Sequence, residues 1–349
     1  MRGLLAPLSW LYAIALHLRH KLYDLGILKS RSFSVPTICV GNLALGGTGK
    51  TPHTEYLIKL LKDNAKVAVL SRGYGRKTKG YVLADESTTY EQIGDEPLQY
   101  HLKFNDITVA VDENRCEGVE KLMALETPPE VILLDDALQH RKIKPGLNLL
   151  LTEYYNIYKK DMLVPAGKLR DVKSAADRAD VIIVTKSPKV LLPYDRRDVI
   201  NLIDAKPYQK IFFTYIDFQK LKPVNQTAKD TLLQDMKSVY MFCGIANPYP
   251  LEDYMKRMFN TLITNYYSDH YSYNDNDIDT ILGGFNSVIG KNKIIVTTEK
   301  DLMRLTNSSY LDRFENVPLF TIPIEVKFND SKDEESFKNI ILNYVGKNS

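Results

Sequence analysis

The chain has 349 residues, enough for two domains with ordinary hydrophobic cores. Its 46 basic and 43 acidic residues leave a net charge of only +3, so the composition predicts no nucleic-acid partner. Its three cysteines lie far apart and are odd in number, which argues against a disulfide framework and a cysteine-based metal site and favours a reducing compartment.

The first predicted element is a helix over residues 8–25, with Pro7 at its start and Gly26 beyond its end. Apolar side chains at helical spacing form one stripe along it: Leu8, Leu11, Ala15, Leu18, Leu22 and Leu25. The apolar run is shorter than the about 20 residues that span a bilayer. Two interpretations stay open: residues 1–31 form a membrane-interface helix, or the helix packs on the protein's own core.

The next segment contains the most informative motif of the chain. A buried strand predicted at 36–40 is followed by a glycine-rich turn at 45–51 and by a helix predicted at 52–61. This order is typical of a phosphate-binding loop, in which backbone N–H groups and a helix N-terminus surround a phosphate. Lys50 is predicted to reach the β- and γ-phosphates of a nucleoside triphosphate. The residues predicted to bind the nucleotide here are Gly46, Gly47, Thr48, Gly49, Lys50 and Thr51.

A metal-binding carboxylate is expected near such a loop, at the end of a neighbouring strand. Four apolar residues at 131–134 end in the paired acids Asp135 and Asp136, which we predict to hold Mg²⁺ together with the Thr51 hydroxyl. The segment 185–188, of sequence Thr-Lys-Ser-Pro, lacks the aspartate that binds guanine in GTPases. ATP is therefore favoured over GTP.

Apolar runs alternate with helical patterns through the rest of the first part of the chain. Further buried strands are predicted at 66–70, 107–111, 147–151 and 181–185, and a helix at 114–125. The alternation predicts an α/β fold of the P-loop NTPase type, with a mostly parallel sheet and helices on both faces. This kinase-like core is assigned to residues 32–217.

The composition becomes polar after this core, and we predict a linker at 218–237. A second, smaller α/β lobe is predicted over 238–349. Its strands are predicted at 239–243, 293–296 and 319–324, and its helices at 251–259, 277–285 and 334–344.

Several short sequences, taken in order, resemble those of one family. They are VGNL at 40–43, SRGYGR at 71–76, GDEP at 94–97, DDALQHR at 135–141, PAGKLR at 165–170, FCGIANP at 242–248, DH at 269–270 and TTEKD at 297–301. In this order and at these separations they resemble the tetraacyldisaccharide 4′-kinases, the lipid A 4′-kinases of Gram-negative bacteria. The resemblance covers most of the chain.

The resemblance implies a lipid kinase that moves the γ-phosphate of ATP to the 4′-hydroxyl of tetraacyldisaccharide 1-phosphate, an acylated glucosamine disaccharide, in lipid A biosynthesis. It implies ATP and Mg²⁺ as cofactors and a membrane surface as a partner. The protein would lie peripherally at the cytoplasmic face of the bacterial inner membrane. We expect a monomer.

The resemblance also implies roles for individual residues. Asp95 matches the family's catalytic base, and His270 matches the histidine that orients or tunes it, which would place the active site between the two lobes. Arg115 and Arg170 match cationic residues that face the transferred phosphoryl group.

Four other side chains are expected at the edges of this site. Gln139 and His140 follow the paired acids and are expected to order the metal or the nucleotide. Arg72 and Arg76 are the candidates for binding the 1-phosphate of the acceptor, and the alternative is that the basic segment 76–79 is only a solvated loop.

This sequence departs from the family pattern in places. Ala137 and Leu138 stand where the family often has Gly-Phe, and Asp171 stands where it has glutamate. The loop also departs from the general P-loop pattern, because its first position is Ala44 instead of glycine. None of these changes removes the residues expected to bind the metal or to act as the base.

Two other classes of protein remain open at this level. A P-loop ATPase or metal-cofactor chaperone would use the same loop without phosphorylating a product, although Ala44 and Leu45 supply no lysine of the kind such chaperones carry there. A non-catalytic nucleotide sensor would not need the complete set of Lys50, Thr51 and Asp135.

Overall fold

The computed structural model describes residues 2–306 and 310–348, and their strands form two sheets. The strands are β1 (Thr37–Asn42), β2 (Val67–Ser71), β3 (Val82–Leu83), β4 (Thr108–Val111), β5 (Val131–Asp135), β6 (Leu147–Glu153), β7 (Val181–Thr185), β8 (Lys210–Phe218), β9 (Lys222–Pro223), β10 (Ser238–Cys243), β11 (Thr261–Tyr266), β12 (Lys293–Thr298), β13 (Leu319–Ile322) and β14 (Ile324–Phe328).

Helices lie between most of these strands. They are α1 (Arg2–Asp24), α2 (Lys50–Leu61), α3 (Tyr90–Ile93), α4 (Asp95–Lys103), α5 (Arg115–Met123), α6 (Pro193–Ile203), α7 (Gln226–Lys229), α8 (Tyr249–Met258), α9 (Asp275–Ser287), α10 (Glu299–Met303) and α11 (Ser331–Asn348).

The first sheet has nine strands in the order β14-β8-β7-β6-β1-β5-β2-β4-β3, and only the pairs at its two edges are antiparallel. The second sheet has the order β11-β10-β12-β13-β9, with only β9 antiparallel to its neighbour. The α/β class with a mostly parallel sheet is thereby confirmed.

Helices cover both faces of the first sheet, and its central strands are therefore buried on both sides. Side chains from α1, α5 and α6 join one hydrophobic cluster, represented by Leu16, Leu122 and Ile203. Side chains from α2, α4 and α11 join the other. The second sheet carries α7 and α8 on one face and α9 on the other.

The register of the central strands brings the sequence motifs together. β1 pairs in parallel with β5, with Val40 opposite Asp135, so both strands end at the same edge of the sheet. The glycine-rich turn follows β1 and the paired acids end β5. Ligands of open α/β sheets bind at this carboxyl edge.

The predicted division of the chain into a linker and a terminal lobe was wrong in two respects. The segment 218–237 contains β9 and α7, which belong to the second lobe. The predicted strand 319–324 is two strands in different sheets, because Pro323 separates β13 from β14 and β14 pairs with β8. The end of the chain, 324–348, therefore packs on the first domain.

Helix α11 allows a stability test of the packing of residues 324–348 on the first domain. Phe337 is buried against the rings of Tyr56, Phe212 and Phe328, all in the first domain. We expect Phe337→Ala to lower the free energy of unfolding by about 3–5 kcal/mol, as large truncations of buried aromatic residues do. Urea unfolding followed by circular dichroism measures it. The half-exposed Leu342 on the same helix is the control, and an equal loss for Leu342→Ala would contradict the packing described here.

Candidate active site between the two lobes

The glycine-rich turn has the backbone of a phosphate-binding loop. Gly46 and Gly49 adopt φ values of +107° and +87°, which residues with a Cβ rarely adopt. Helix α2 begins directly after Gly49. Asn42 Nδ2 donates to Thr48 Oγ1 at 2.7 Å, and the Thr185 hydroxyl donates to the Thr48 carbonyl at 2.8 Å. The loop is thus fixed from β1 and from β7, with the N-terminus of α2 pointing at the position that a phosphate would take.

The paired acids at the end of β5 have different surroundings. Asp135 is buried; Ser71 Oγ donates to its Oδ2 at 3.3 Å, and its Oδ1 has no hydrogen-bond partner among the described residues. Burial, with the negative charges of Glu96 and Asp136, raises the pKa of the Asp135 carboxyl well above its ordinary value. An orphaned carboxylate oxygen beside a second acid is a site that a divalent cation suits.

Asp136 faces the cationic side of the site. Lys50 Nζ lies 3.8 Å from its Oδ1, and Arg170 Nη1 donates to its Oδ2 at 2.8 Å. Burial acts to raise the pKa of Asp136, but Lys50 and Arg170 outweigh it and hold that pKa below its ordinary value. The second guanidinium nitrogen of Arg170 also bonds to Asn42 at the end of β1. The structure therefore brings the predicted Lys50, Arg170 and Asp136 together.

Arg115 lies elsewhere than predicted. Its side chain is buried behind the acids, where its guanidinium donates to the backbone carbonyls of Asp112 and Asp135. In this structure it supports the end of β5 and does not face the phosphate position. The prediction that it contacts the transferred phosphoryl group is not supported by this geometry.

The second part of the site joins the two lobes. Asp95 begins α4 in the first domain, and His270 lies in the second lobe between β11 and α9. His270 Nδ1 is 3.0 Å from Asp95 Oδ2, as the predicted pairing requires. Arg304 Nη2 donates to the same oxygen at 2.6 Å, and Lys300 Nζ lies 3.9 Å from it.

The charge of Asp95 is controlled by these contacts. The residue is only 6% exposed, and burial acts to raise the pKa of its carboxyl group. The hydrogen bond with His270 and the charges of Lys300 and Arg304 outweigh burial, and the pKa of Asp95 lies well below its ordinary value. Asp95 is therefore a carboxylate at neutral pH, the form that can accept a proton.

One cavity of about 980 Å³ connects the two parts of the site. The predicted residues in its wall are Gly46, Gly47, Gly49, Lys50, Thr51, Asp135, Asp136, Gln139, His140, Arg170 and His270. The second lobe also contributes Asn247 and Lys300 to the wall. Of the other predicted residues, Thr48, Arg115 and Asp95 lie behind it. Asp95 reaches the cavity through its contact with His270.

Comparison with known proteins shows the family to which the chain belongs. The sequence model of the family described as Tetraacyldisaccharide-1-P 4′-kinase matches residues 1–345. The chain belongs to this family. A tetraacyldisaccharide 4′-kinase of Bacteroides thetaiotaomicron is 42% identical over 99% of this chain and 93% of its own. One of Flavobacterium johnsoniae is 41% identical over 100% and 98%.

A solved structure of the 4′-kinase family has the same fold. It is the crystal structure of an "apo" form LpxK from Aquifex aeolicus in complex with ATP. The two structures superimpose with a TM-score of 0.73 and 30% sequence identity, and the match covers 99% of each chain.

Several contacts in this 4′-kinase family member were not predicted from the sequence. Arg304 is the most important, because it bridges Asp95 and Asp301 (2.9 Å) while almost fully buried. Asp301 is fixed in turn by the Gly244 N–H and the Thr298 hydroxyl. Two of the motifs of the family resemblance, at 242–248 and 297–301, therefore hold Arg304 in place.

Gln139, His140 and the two candidate arginines have separate surroundings in this 4′-kinase. Gln139 Nε2 donates to the Asn42 carbonyl at 2.6 Å, which ties it to the end of β1. Burial and the nearby arginine charges lower the pKa of His140 to about 4, so its imidazole is neutral. Arg72 lines the cavity, whereas Arg76 bonds to the Gly80 carbonyl and to Glu113 and is not part of the cavity wall.

Helix α1 starts upstream of its predicted position, so Pro7 lies inside it. Its apolar stripe is exposed; Leu11 and Leu18 are 66% and 59% accessible, and Trp10 and Ile14 are similar. The opposite face packs on the first domain through Ser9, Tyr12, Leu16 and His20. No described helix is both long and apolar enough to cross a membrane. Packing on the protein's own core is confirmed for this inner face of α1, whereas membrane contact by the exposed face stays a prediction.

Proposed function

We propose that this family member is a lipid kinase that transfers the γ-phosphate of ATP to the 4′-hydroxyl of tetraacyldisaccharide 1-phosphate in lipid A biosynthesis. The observation that carries the proposal is the contact between Asp95 and His270. It joins the two lobes at a cavity whose wall also contains the phosphate-binding loop. A nucleotide and a second substrate can therefore meet in one cavity between the lobes, as direct phosphoryl transfer requires.

The nucleotide end of the cavity suits ATP with Mg²⁺. Backbone N–H groups of the loop and Lys50 would bind the β- and γ-phosphates, and Arg170 would face the charge of the transferred group. The oxygens of Thr51, Asp135 and Asp136 would hold the ion. Few protein ligands suffice for Mg²⁺, because it usually keeps several waters and binds phosphate oxygens as well. The ion would neutralise the charge of the β- and γ-phosphates.

The acceptor end of the cavity supplies the base. We propose that the Asp95–His270 pair takes the proton from the 4′-hydroxyl. The cations around Asp95 keep it ionised but make it a weak base. A weak base suffices when the transition state is loose, because the hydroxyl becomes acidic only as its oxygen bonds to phosphorus.

The exposed face of α1 suits a lipid acceptor. Apolar side chains on one face of a helix, flanked by basic residues, hold a protein at the headgroup region of a bilayer. We propose that α1 holds the monomeric enzyme peripherally at the cytoplasmic face of the inner membrane, where the acyl chains of the acceptor remain in the lipid.

A product assay tests the proposal. The protein is incubated with ATP, Mg²⁺ and tetraacyldisaccharide 1-phosphate in detergent, and the lipids are examined by mass spectrometry. A product heavier by one phosphate, formed only with all three components, is the expected result. ATP hydrolysis that is independent of the acceptor would indicate an ATPase or chaperone. Nucleotide binding without any turnover would indicate a sensor.

The exposed face of α1 gives a further prediction. We expect Leu11→Ser combined with Leu18→Ser to lower turnover of acceptor embedded in vesicles at least about tenfold, because each buried leucine contributes about 1.5–3 kcal/mol. Turnover of acceptor dispersed in detergent should change little. Initial rates with the two presentations measure the effect. Ile289→Ser, at an exposed apolar position of the second lobe, is the control. An equal loss in both presentations would argue against membrane contact by this face.

A further inference from the structure

The inner face of α1 contacts the loop that carries Arg170. The Ser9 hydroxyl donates to the Leu163 carbonyl at 2.8 Å and accepts from the Ala166 N–H at 3.0 Å. One turn further along, the Tyr12 hydroxyl donates to the carbonyl of Arg170 itself at 3.0 Å. The helix is thus hydrogen-bonded to both ends of the segment 163–170.

The strongest contact of this face is a buried pair. His20 Nε2 lies 2.6 Å from Oδ1 of Asp171, and Arg178 Nη2 lies 3.1 Å from Oδ2. Arg141 donates to Nδ1 of His20, so Nε2 carries the proton and donates it to the carboxylate. His20 is 7% exposed and Asp171 is fully buried. Asp171 directly follows Arg170, so its position fixes the backbone from which that arginine extends.

The same face of α1 reaches a second loop of the site. Arg19 Nη2 donates to the Gln139 carbonyl at 3.0 Å, and Arg141 Nη1 donates to the His20 carbonyl at 3.0 Å. Both partners belong to the loop that follows the metal acids. Two loops that meet at the nucleotide end of the cavity are therefore held by one helix.

We propose that α1 is a positioning element of the catalytic site, and that His20 is the residue through which it fixes Arg170. The inference rests on the proposed function, because Arg170 is assigned there to the transferred phosphoryl group. It is separate from membrane contact, which uses the opposite face of the helix. Displacement of a charge-stabilising group by about 1 Å costs a large factor in rate, whereas nucleotide binding by the backbone of the loop is little affected.

The prediction concerns kcat in detergent, where membrane attachment is not required. His20→Ala should lower kcat by about tenfold or more, with a KM for ATP within about threefold of wild type. His20→Gln, whose amide can still donate to Asp171, should recover part of the loss. His17→Ala is the matched control, since His17 is an exposed histidine on the same helix, and it should behave as wild type.

A double-mutant cycle separates positioning from general destabilisation. If His20 acts through Arg170, His20→Ala should lower kcat no more than about twofold when it is added to Arg170→Ala. Melting temperatures of all variants are measured alongside. If His20→Ala does not fold, Tyr12→Phe replaces it in the same cycle, because it removes only one hydroxyl.

Two results would overturn the inference while leaving the proposed function intact. One is an active wild-type enzyme whose kcat is unchanged by His20→Ala. The other is a full, additive loss in the Arg170→Ala background. Failure of the wild-type enzyme to phosphorylate the acceptor would instead contradict the proposed function.

Discussion

Replacing Lys50 by alanine is expected to lower phosphoryl transfer by a factor of about 10³ or more. Lys50 is the first residue of α2, and its side chain lines the cavity with its ammonium 3.8 Å from Asp136. Its positive charge would face the phosphoryl group, whose negative charge spreads over three oxygens during transfer and needs a cationic partner there. Single-turnover assays with radiolabelled ATP measure the loss.

The fold should survive this change because Lys50 supports no hydrophobic core. We expect a melting temperature within a few degrees of wild type. Lys59→Ala is the matched control: Lys59 lies on the same helix, is paired with Glu325 at the surface, and should leave transfer unchanged. Wild-type turnover by a folded Lys50→Ala protein would refute the assignment of the phosphate-binding loop.

Loss of the carboxylate of Asp95 is expected to have the second large effect. Asp95→Asn retains the side-chain volume and a partner for Arg304 but removes the base, and such a loss typically costs a factor of about 10² to 10⁴ in kcat. The affinity for ATP should change little, because Asp95 lies behind His270 and away from the loop. His270→Ala should cost less, since it removes the partner of the base.

The two changes together should be little worse than Asp95→Asn alone, because groups that act as one unit give non-additive losses. Steady-state kinetics of the two single variants and the double variant test this. His101→Ala provides a control on the same helix as Asp95, at a histidine that bonds to the Asp85 carbonyl instead. Fully additive losses would mean that Asp95 and His270 act independently, and the proposed site between the lobes would have to be abandoned.

The nucleotide end of the site could be predicted because its parts are contiguous in sequence. A buried strand, glycines and a helix start lie within residues 36–61, and the metal acids directly follow another apolar strand. The pairing of Asp95 with His270 required the family resemblance, since the two residues are far apart in the chain and neither has a distinctive local pattern.

Arg304 was missed for a physical reason. A charged residue three positions after Asp301 usually forms a surface pair on a helix, and nothing local indicates that it is buried against Asp95. The prediction of what α1 does was incomplete for a similar reason. Its apolar stripe was visible, but the partner of His20 is Asp171, and only the folded chain brings them together.

The sheet to which each late strand belongs could not be predicted either. The apolar run 319–324 reads as one strand, and Pro323 alone divides it between two sheets. Strand β8, at 210–218, was not predicted at all, and β14 needs β8 as its partner.

The return of the chain to the first domain has a mechanical consequence. β8 and β14 form an antiparallel pair in which Phe218 lies opposite Ile324, so the second lobe is an insertion between the arms of a hairpin. The two chain segments that connect the first domain to the second lobe, after β8 and before β14, are also joined, because the Gln219 N–H donates to the Pro323 carbonyl. A tension applied to the two ends of the chain reaches the inserted lobe only after β14 has been peeled from β8. Cleavage of one peptide bond in either connecting segment would leave the second lobe attached to the first domain through the other segment.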